Sequence, residues 1–411
     1  MPPTRPPALR LLTGAAAGGL WSGVLDGGRV ERLDPTGVTL QPDGAATVRY
    51  SATVAWADGR QTRESLVATT GNRIPGGATI VPATADGHRI RVGVWRWPHD
   101  PALPALAWAS SGAAVAATLQ RLGLATGPVR LRLRSYRPGR RAVVQVESSA
   151  GPFFLKVVRP AVLGRLAERH RVLAGAVPVP PVLAATEDGV LVLPGLPGEP
   201  MRPLLAGNGR GLPSPAELER LLDAFPAAAA DLRAAGSRPP GDALARVPDH
   251  AAVLGAVAGE LRPRLDALCA ALAAADPGGH PAVPVHGDFY ESQLLVEHGA
   301  VVGLLDVDTV GRGHRIDDWA TLLGHVVLLE HILPEPATAV RYRRAVEDHA
   351  LGRWPAAQVR PRVAAVLVGL ATGPFRVQQA DWPALTEGRV ALAEEWAGAH
   401  RGAGRARGPA R

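Results

Sequence analysis

Over the first third of the chain, apolar and polar residues alternate with a period of two. VRYSATVAW places Val48, Tyr50, Ala52, Val54 and Trp56 on one side, the pattern of a half-buried strand. ADGR follows as a hairpin turn, QTRESLVATT reads as the returning strand, and HRIRVGVWRW alternates again. WPHDPALPALAWA then breaks regular structure with three prolines and leads into a helix near Gly112 to Leu122. Residues 128 to 160 read as three consecutive strands, PVRLRLRSYRP, RRAVVQVES and GPFFLKVVRP, with turns at PGR and SSAG. AVLGRLAERHRVLAGA switches to a helical period. VPVPPVLAATEDGVLVLPGLPGEPM then supplies two short strands and a Pro/Gly-rich connector. Ala/Leu-rich helix is expected from about 214 to 275, a strand–loop–strand unit over about 283 to 312, and helices to about 397.

The pattern predicts an α+β protein. Residues 1–125 form a β-rich N-terminal region, 126–200 a small β lobe ending in the connector, 201–397 a mostly helical lobe, and 398–411 a basic disordered tail. A strand lysine, a helix carrying a glutamate, a hinge and a helical lobe follow in that order. Phosphoryl-transfer enzymes use this layout to hold a nucleotide between two lobes.

Composition narrows the function classes. Hydrophobic residues make up 46% of the 411 and charged residues 20%, which is ordinary for a globular protein. No uncharged apolar run approaches the roughly 18 residues of a transmembrane helix. The prolines in MPPTRPPALRLLTGAAAGGLW weigh against a signal peptide. A single cysteine, Cys269, excludes an intrachain disulfide framework and a cysteine-based zinc site, and it fits a cytoplasmic protein. The net charge is +8. Its arginines are spread along the chain, densest in HRGAGRARGPAR, and no nucleic-acid-binding signature accompanies them.

Among the 45 Lys plus Arg residues only Lys156 is lysine. Chance survival of one lysine competes with a requirement for a compact ammonium, which a planar guanidinium does not replace.

The densest chemistry lies in VPVHGDFYESQLLVEHGAVVGLLDVDTVGRGHRIDDWATLL, residues 283 to 323. A short apolar strand runs into His286, Gly287 and Asp288, with Gln293 five residues on. A second apolar strand ends in Asp306, with Asp308 two further. Acidic groups at the ends of adjacent strands can face one cleft. Phosphoryl transfer needs a carboxylate for the acceptor hydroxyl and oxygen ligands for Mg²⁺.

HGDFYESQ resembles the HGDxxxxN catalytic loop of the aminoglycoside phosphotransferase and choline kinase-like family, small-molecule relatives of the protein kinases. LLDVD resembles that family's metal motif. The resemblance spans about residues 125 to 395 and implies a bilobal protein kinase-like fold. It implies Asp288 as catalytic base, His286 as the brace of the loop, and Asp306 and Gln293 as Mg²⁺ ligands, with Asp308 beside them as a further metal-site residue. Lys156 then contacts the α and β phosphates of ATP or GTP with Glu168 as its helix partner. Arg137 and Gly139 in SYRPGRR lie where a phosphate-covering hairpin stands, and Leu193 in the hinge that meets the base. Asp318 in GHRIDDWA matches an aspartate that anchors the catalytic loop. Maltose-phosphorylating kinases resembling this family also carry an N-terminal cap.

Two departures stand out. Gln293 replaces asparagine and is one methylene longer, and His314 replaces an aspartate of the anchor motif. The expected activity is transfer of a γ-phosphoryl group to a hydroxyl of a small molecule. From residue 315 on, ten acidic residues face thirteen arginines, which favours a neutral sugar, a macrolide-like hydroxyl or another metabolite over a polycation. A pseudokinase scaffold, supported by Gln293, and a kinase of Ser or Thr in a peptide remain open readings.

Overall fold

A computed structural model describes residues 5–232 and 242–398. The expected basic tail lies outside the described residues, apart from Gly398. The chain divides into two compact units. The first takes the chain to Gly164, Val182–Gly195 and Pro374–Trp382; the second takes Arg165–Pro181, Leu196–Gly373 and the chain from Pro383 on.

The first unit holds two five-stranded antiparallel sheets. One contains β1 (Arg29–Leu40), β2 (Ala46–Ala55), β3 (Gln61–Thr70), β4 (Thr79–Ala85) and β5 (His88–Arg96), in the order β1-β2-β3-β5-β4. Alternation in β2 buries Ala46, Val48, Tyr50, Ala52 and Val54. The period-two pattern did not reveal β1, because Pro35 interrupts it. As the sheet's edge it tolerates the proline, with a register shift between Pro35 and Gly37. The opposite edge strand, β4, carries Pro82, so both free edges are poor templates for further pairing.

The second sheet contains β6 (Arg130–Arg137), β7 (Arg141–Ser148), β8 (Gly151–Val158), β9 (Ala184–Thr186) and β10 (Val190–Pro194), in the order β6-β7-β8-β10-β9. One face buries Ala142, Val144, Val146, Phe153, Leu155, Val157, Val190 and Val192. Val67 and Trp95 of the first sheet, and Val115 and Leu119 of the helix Gly112–Arg121, belong to the same core. The two sheets therefore share one apolar interior. Ser111 starts that helix, its hydroxyl accepting the Ala114 N–H at 3.4 Å.

The second unit is mostly helical, with two small sheets. β11 (Glu199–Pro200) pairs with β13 (Leu294–Glu297), which pairs with β14 (Ala300–Leu304); β12 (Val283–Val285) pairs with β15 (Gly311–Gly313). The expected helical stretch from 214 to 275 is a succession of short helices, Pro215–Asp223, Val247–Val257 and Arg262–Ala273. Prolines 226, 248 and 263 punctuate it, at or just before helix starts, where a missing N–H is harmless. The helix Arg315–Ile332 lies at the centre, buried on several sides through Ile316, Trp319, Leu322, Leu323, Val326 and Val327. It meets the helix Ala356–Ala371 so closely at Gly324 that a Cβ there would stand 2.7 Å from Val366 Cγ1. Among the described residues no helix is long and apolar enough to cross a membrane.

Candidate active site

In the second unit, two loops are laced together at the ends of the small sheets. Val285 pairs with Gly311, so the loop beginning at His286 starts where the segment 305–310 ends. The His286 side chain accounts for the next link: Nε2 lies 3.0 Å from the Leu305 carbonyl. A carbonyl only accepts, so this nitrogen carries the proton. Thr309 Oγ1 donates to the His286 carbonyl at 2.9 Å. The Leu305 N–H donates to the Gln293 carbonyl at 2.8 Å, continuing the register that pairs Leu294 with Leu304. Asp306 follows at once, in the left-handed region at φ 53°, ψ 53°. Aspartate visits that region more readily than most residues. Gln293 is buried at the far end of the first loop. Residues 286–293 and 305–310 thus form one framework, with Asp288 on the first loop and Asp306 on the second.

The base of the first loop is clamped by Asp318, in the first turn of the helix Arg315–Ile332. Its Oδ2 accepts from the His286 N–H and its Oδ1 from the Gly287 N–H, each at 2.8 Å. Gly287 has φ +75°, a conformation that favours glycine. Burial pushes the Asp318 carboxyl up, while His286, Arg315 and the two backbone donors pull the other way.

The underside of this loop is a charged cluster that sequence reasoning missed. Glu291 is fully buried, and burial raises its carboxyl above the ordinary range. Arg202 Nη1 stands 3.7 Å and His325 Nδ1 3.9 Å from its oxygens. His325 stacks on Tyr290 with centroids 4.0 Å apart. Burial, then Arg202, drives its pKa down to about 3, so it is neutral at physiological pH.

On the helix Pro160–Leu173, the buried positions are Leu166, Arg169, His170 and Leu173. Glu168 is exposed and pairs with Arg171 at 2.5 Å. Arg169 Nε donates to the Val310 carbonyl at 3.3 Å. Burial lowers the Arg169 pKa, and the nearby Asp308 carboxylate opposes that shift. Of the two aspartates in LLDVD, Asp308 therefore lies beside a buried guanidinium. The spacing 166, 169, 170 and 173 is the signal that could have found Arg169 in the sequence.

In the first unit, Lys156 lies on β8, paired with Val143 of β7 and Leu191 of β10. It is 6% exposed. Cross-strand partners share a face, so Lys156 stands with Val143, Gln145, Phe154, Leu191 and Leu193, opposite the face that forms the core. Phe154 and Leu193 are themselves paired. An ammonium on an otherwise largely apolar sheet face suits a ligand with a flat apolar end and a charged end. Arg137 and Gly139 occupy the β6–β7 hairpin, where Arg137 pairs with Arg141. Pro138 and Gly139 are its central residues, and Gly139 has φ +67°, as a type II turn requires.

Among the described residues, no group of three or more His, Cys, Asp or Glu forms a ready metal cage. Magnesium carried by phosphates needs only one or two protein ligands, and Asp306 with Gln293 fits that requirement.

The sequence matches the model of the APH phosphotransferase enzyme family over residues 132–365, more than half of the chain. The chain belongs to this phosphotransferase enzyme family, and its fold is α+β. No curated relative matches the sequence. Many solved structures are similar to it, among them the following three. One is a thermostable mutant of aminoglycoside phosphotransferase APH(4)-Ia in its apo form, at 16% identity over 70% of this chain and 98% of that one, TM-score 0.49. A variant of the same enzyme in a ternary complex with ADP and hygromycin B shows 14% identity over 70% and 98%, TM-score 0.47. Macrolide 2'-phosphotransferase MphH from Brachybacterium faecium, as apoenzyme, shows 23% identity over 68% and 97%, TM-score 0.41.

Proposed function

We propose that this protein transfers the γ-phosphoryl group of a nucleoside triphosphate, ATP or GTP, to a hydroxyl of a small molecule. The observation that carries this reading is the lacing of residues 286–293 to 305–310 by His286, Thr309 and the Gln293 carbonyl. It places Asp288 and Asp306 on one rigid framework. Asp288 takes the proton of the acceptor hydroxyl. The hydroxyl oxygen then forms a bond to the γ-phosphorus as the bond to the β-phosphate oxygen breaks, releasing the nucleoside diphosphate. Magnesium, when bound, neutralises the phosphate oxygens; Asp306 and Gln293 are the residues that would hold it. Asp308, the further metal-site candidate, stands near the Arg169 guanidinium. Lys156 supplies an ammonium to the α and β phosphates, and the hinge around Leu193 receives the base. Glu168 is exposed and paired with Arg171.

Some family members act on aminoglycosides and macrolides. The near balance of charge from residue 315 on favours a neutral or weakly charged acceptor, such as a macrolide or a sugar.

The test is calorimetric titration of ATP and GTP, with and without Mg²⁺, into the wild type and Asp306→Ala, followed by an acceptor screen with Asp288→Ala as control. Mg²⁺-dependent binding lost in Asp306→Ala, with turnover lost in Asp288→Ala, is the expected result. Binding indifferent to both Mg²⁺ and Asp306 would sink the proposal and favour a scaffold. Phosphorylation of aminoglycosides alone would overturn the acceptor preference.

A further inference from the structure

The hairpin between β6 and β7 is held from outside the kinase-like part of the chain. Asp100 lies in the segment that follows β5, in the N-terminal region. It is 2% exposed, and three donors converge on its carboxylate. The Gly139 N–H reaches Oδ2 at 2.7 Å, the Tyr136 hydroxyl reaches Oδ2 at 2.8 Å, and the Ala102 N–H reaches Oδ1 at 2.9 Å. Trp95 Nε1, on β5, donates to the Tyr136 hydroxyl at 3.0 Å. Arg49 Nη1, on β2, donates to the Tyr136 carbonyl at 3.3 Å. Trp97 packs edge-on against the Tyr136 ring, centroids 4.7 Å apart.

This arrangement is expensive to build. A buried carboxylate loses much of its hydration, and burial raises the Asp100 pKa despite its hydrogen bonds. A turn that only had to reverse the chain would not need it, since the Pro-Gly pair already supplies the conformation. What the carboxylate adds is a fixed position for the tip. It ties the Gly139 N–H, and through Tyr136 the end of β6, to the first sheet. Two charge-assisted bonds at one oxygen, from the Gly139 N–H and the Tyr136 hydroxyl, leave the hairpin little freedom.

We infer that Asp100 is a positioning residue for the nucleotide phosphates, and that the N-terminal region is thereby part of the phosphoryl-transfer apparatus. Asp100 touches neither phosphate nor acceptor. It acts through the Arg137–Arg141 hairpin, whose tip also carries Arg140, and whose arginines crowd one another. The inference rests on the phosphotransferase reading proposed above.

The test compares ligands with and without phosphates. Asp100→Asn is nearly isosteric, but its amide turns one acceptor into a donor facing either the Gly139 or the Ala102 N–H. ATP·Mg²⁺ and adenosine are titrated calorimetrically into the wild type, Asp100→Asn and Tyr136→Phe, alongside thermal melting. The expected result is ATP affinity about tenfold weaker in Asp100→Asn and a few-fold weaker in Tyr136→Phe, the scale of one or two lost charge-assisted bonds. Adenosine affinity should stay within about twofold. Equal loss for both ligands would show a merely structural role, and unchanged ATP affinity would show that the hairpin needs no tether; either overturns the inference. Should Asp100→Asn fail to fold, Tyr136→Phe carries the same contrast. A wild type that binds adenosine and ATP equally would instead overturn the phosphotransferase reading beneath it.

Discussion

Asp318 holds His286 by its main chain: the carboxylate takes the His286 N–H on one oxygen and the Gly287 N–H on the other, each at 2.8 Å. The side chain of the same histidine grips Leu305, next to Asp306. One residue is thus fixed at both ends, which sets the loop that presents Asp288. Asp318→Ala leaves one buried and one part-buried N–H unpaired. It should lower stability by roughly 2–4 kcal/mol and cut turnover at least about a hundredfold. Urea unfolding and single-turnover phosphoryl transfer check it. Near-normal turnover would show that the loop holds its shape without the clamp.

Lys156→Arg keeps the charge but brings a larger, planar group to a site that is 6% exposed. Overpacking there costs about 1–3 kcal/mol, and a bidentate fork does not reproduce a point charge. Affinity for ATP should fall about tenfold or more, with adenosine affinity little changed, by titration. Wild-type affinity in the arginine variant would mark the lone lysine as an accident of composition.

Gln293 is buried, and its backbone is paired to Leu305, so its side chain has a defined origin. Gln293→Ala should raise the Mg²⁺ concentration for half-maximal turnover at least about tenfold, the size found even for groups that support a ligand. An unchanged Mg²⁺ dependence would leave Asp306 as the sole protein ligand.

The pKa of Asp317 is raised to about 6, chiefly by burial and against the pull of Arg362. The folded carboxyl keeps its proton to higher pH than the unfolded one. Its stabilising contribution is full below pH 3.8 and is lost as pH rises through about 6. Relative to Asp317→Asn, the wild type should lose roughly 3 kcal/mol between about pH 4 and about pH 7. Denaturant unfolding at the two pH values reads the difference. Parallel profiles would refute the assignment.

Gly324 gives two effects of opposite sign. Alanine gains up to about 1 kcal/mol of helix propensity, but its Cβ would meet Val366 Cγ1 at 2.7 Å. Repacking costs about 1–3 kcal/mol, so Gly324→Ala should be net destabilising by about 1 kcal/mol. Adding Val366→Ala should relieve the clash, giving a favourable coupling in a double-mutant cycle.

The sequence by itself determined much of the local structure and the family. Alternation in β2 and β5, the three strands around Lys156, and the paired HGDFYESQ and LLDVD segments are short-range signals, legible because each depends on neighbours a few residues away. Lys156 was conspicuous because no other lysine exists. What escaped was decided by distant partners. β1 carries Pro35 and is a strand only because β2 lies beside it. Glu168 and Arg169 are adjacent in sequence and about 100° apart around a helix; Arg169 is the buried one because Val310, 141 residues on, and Asp308 stand opposite it. Asp100 lies 39 residues before Gly139, in a proline-rich stretch that breaks regular structure. A buried charge takes its role from the donors that surround it, and those donors come together only when the chain folds.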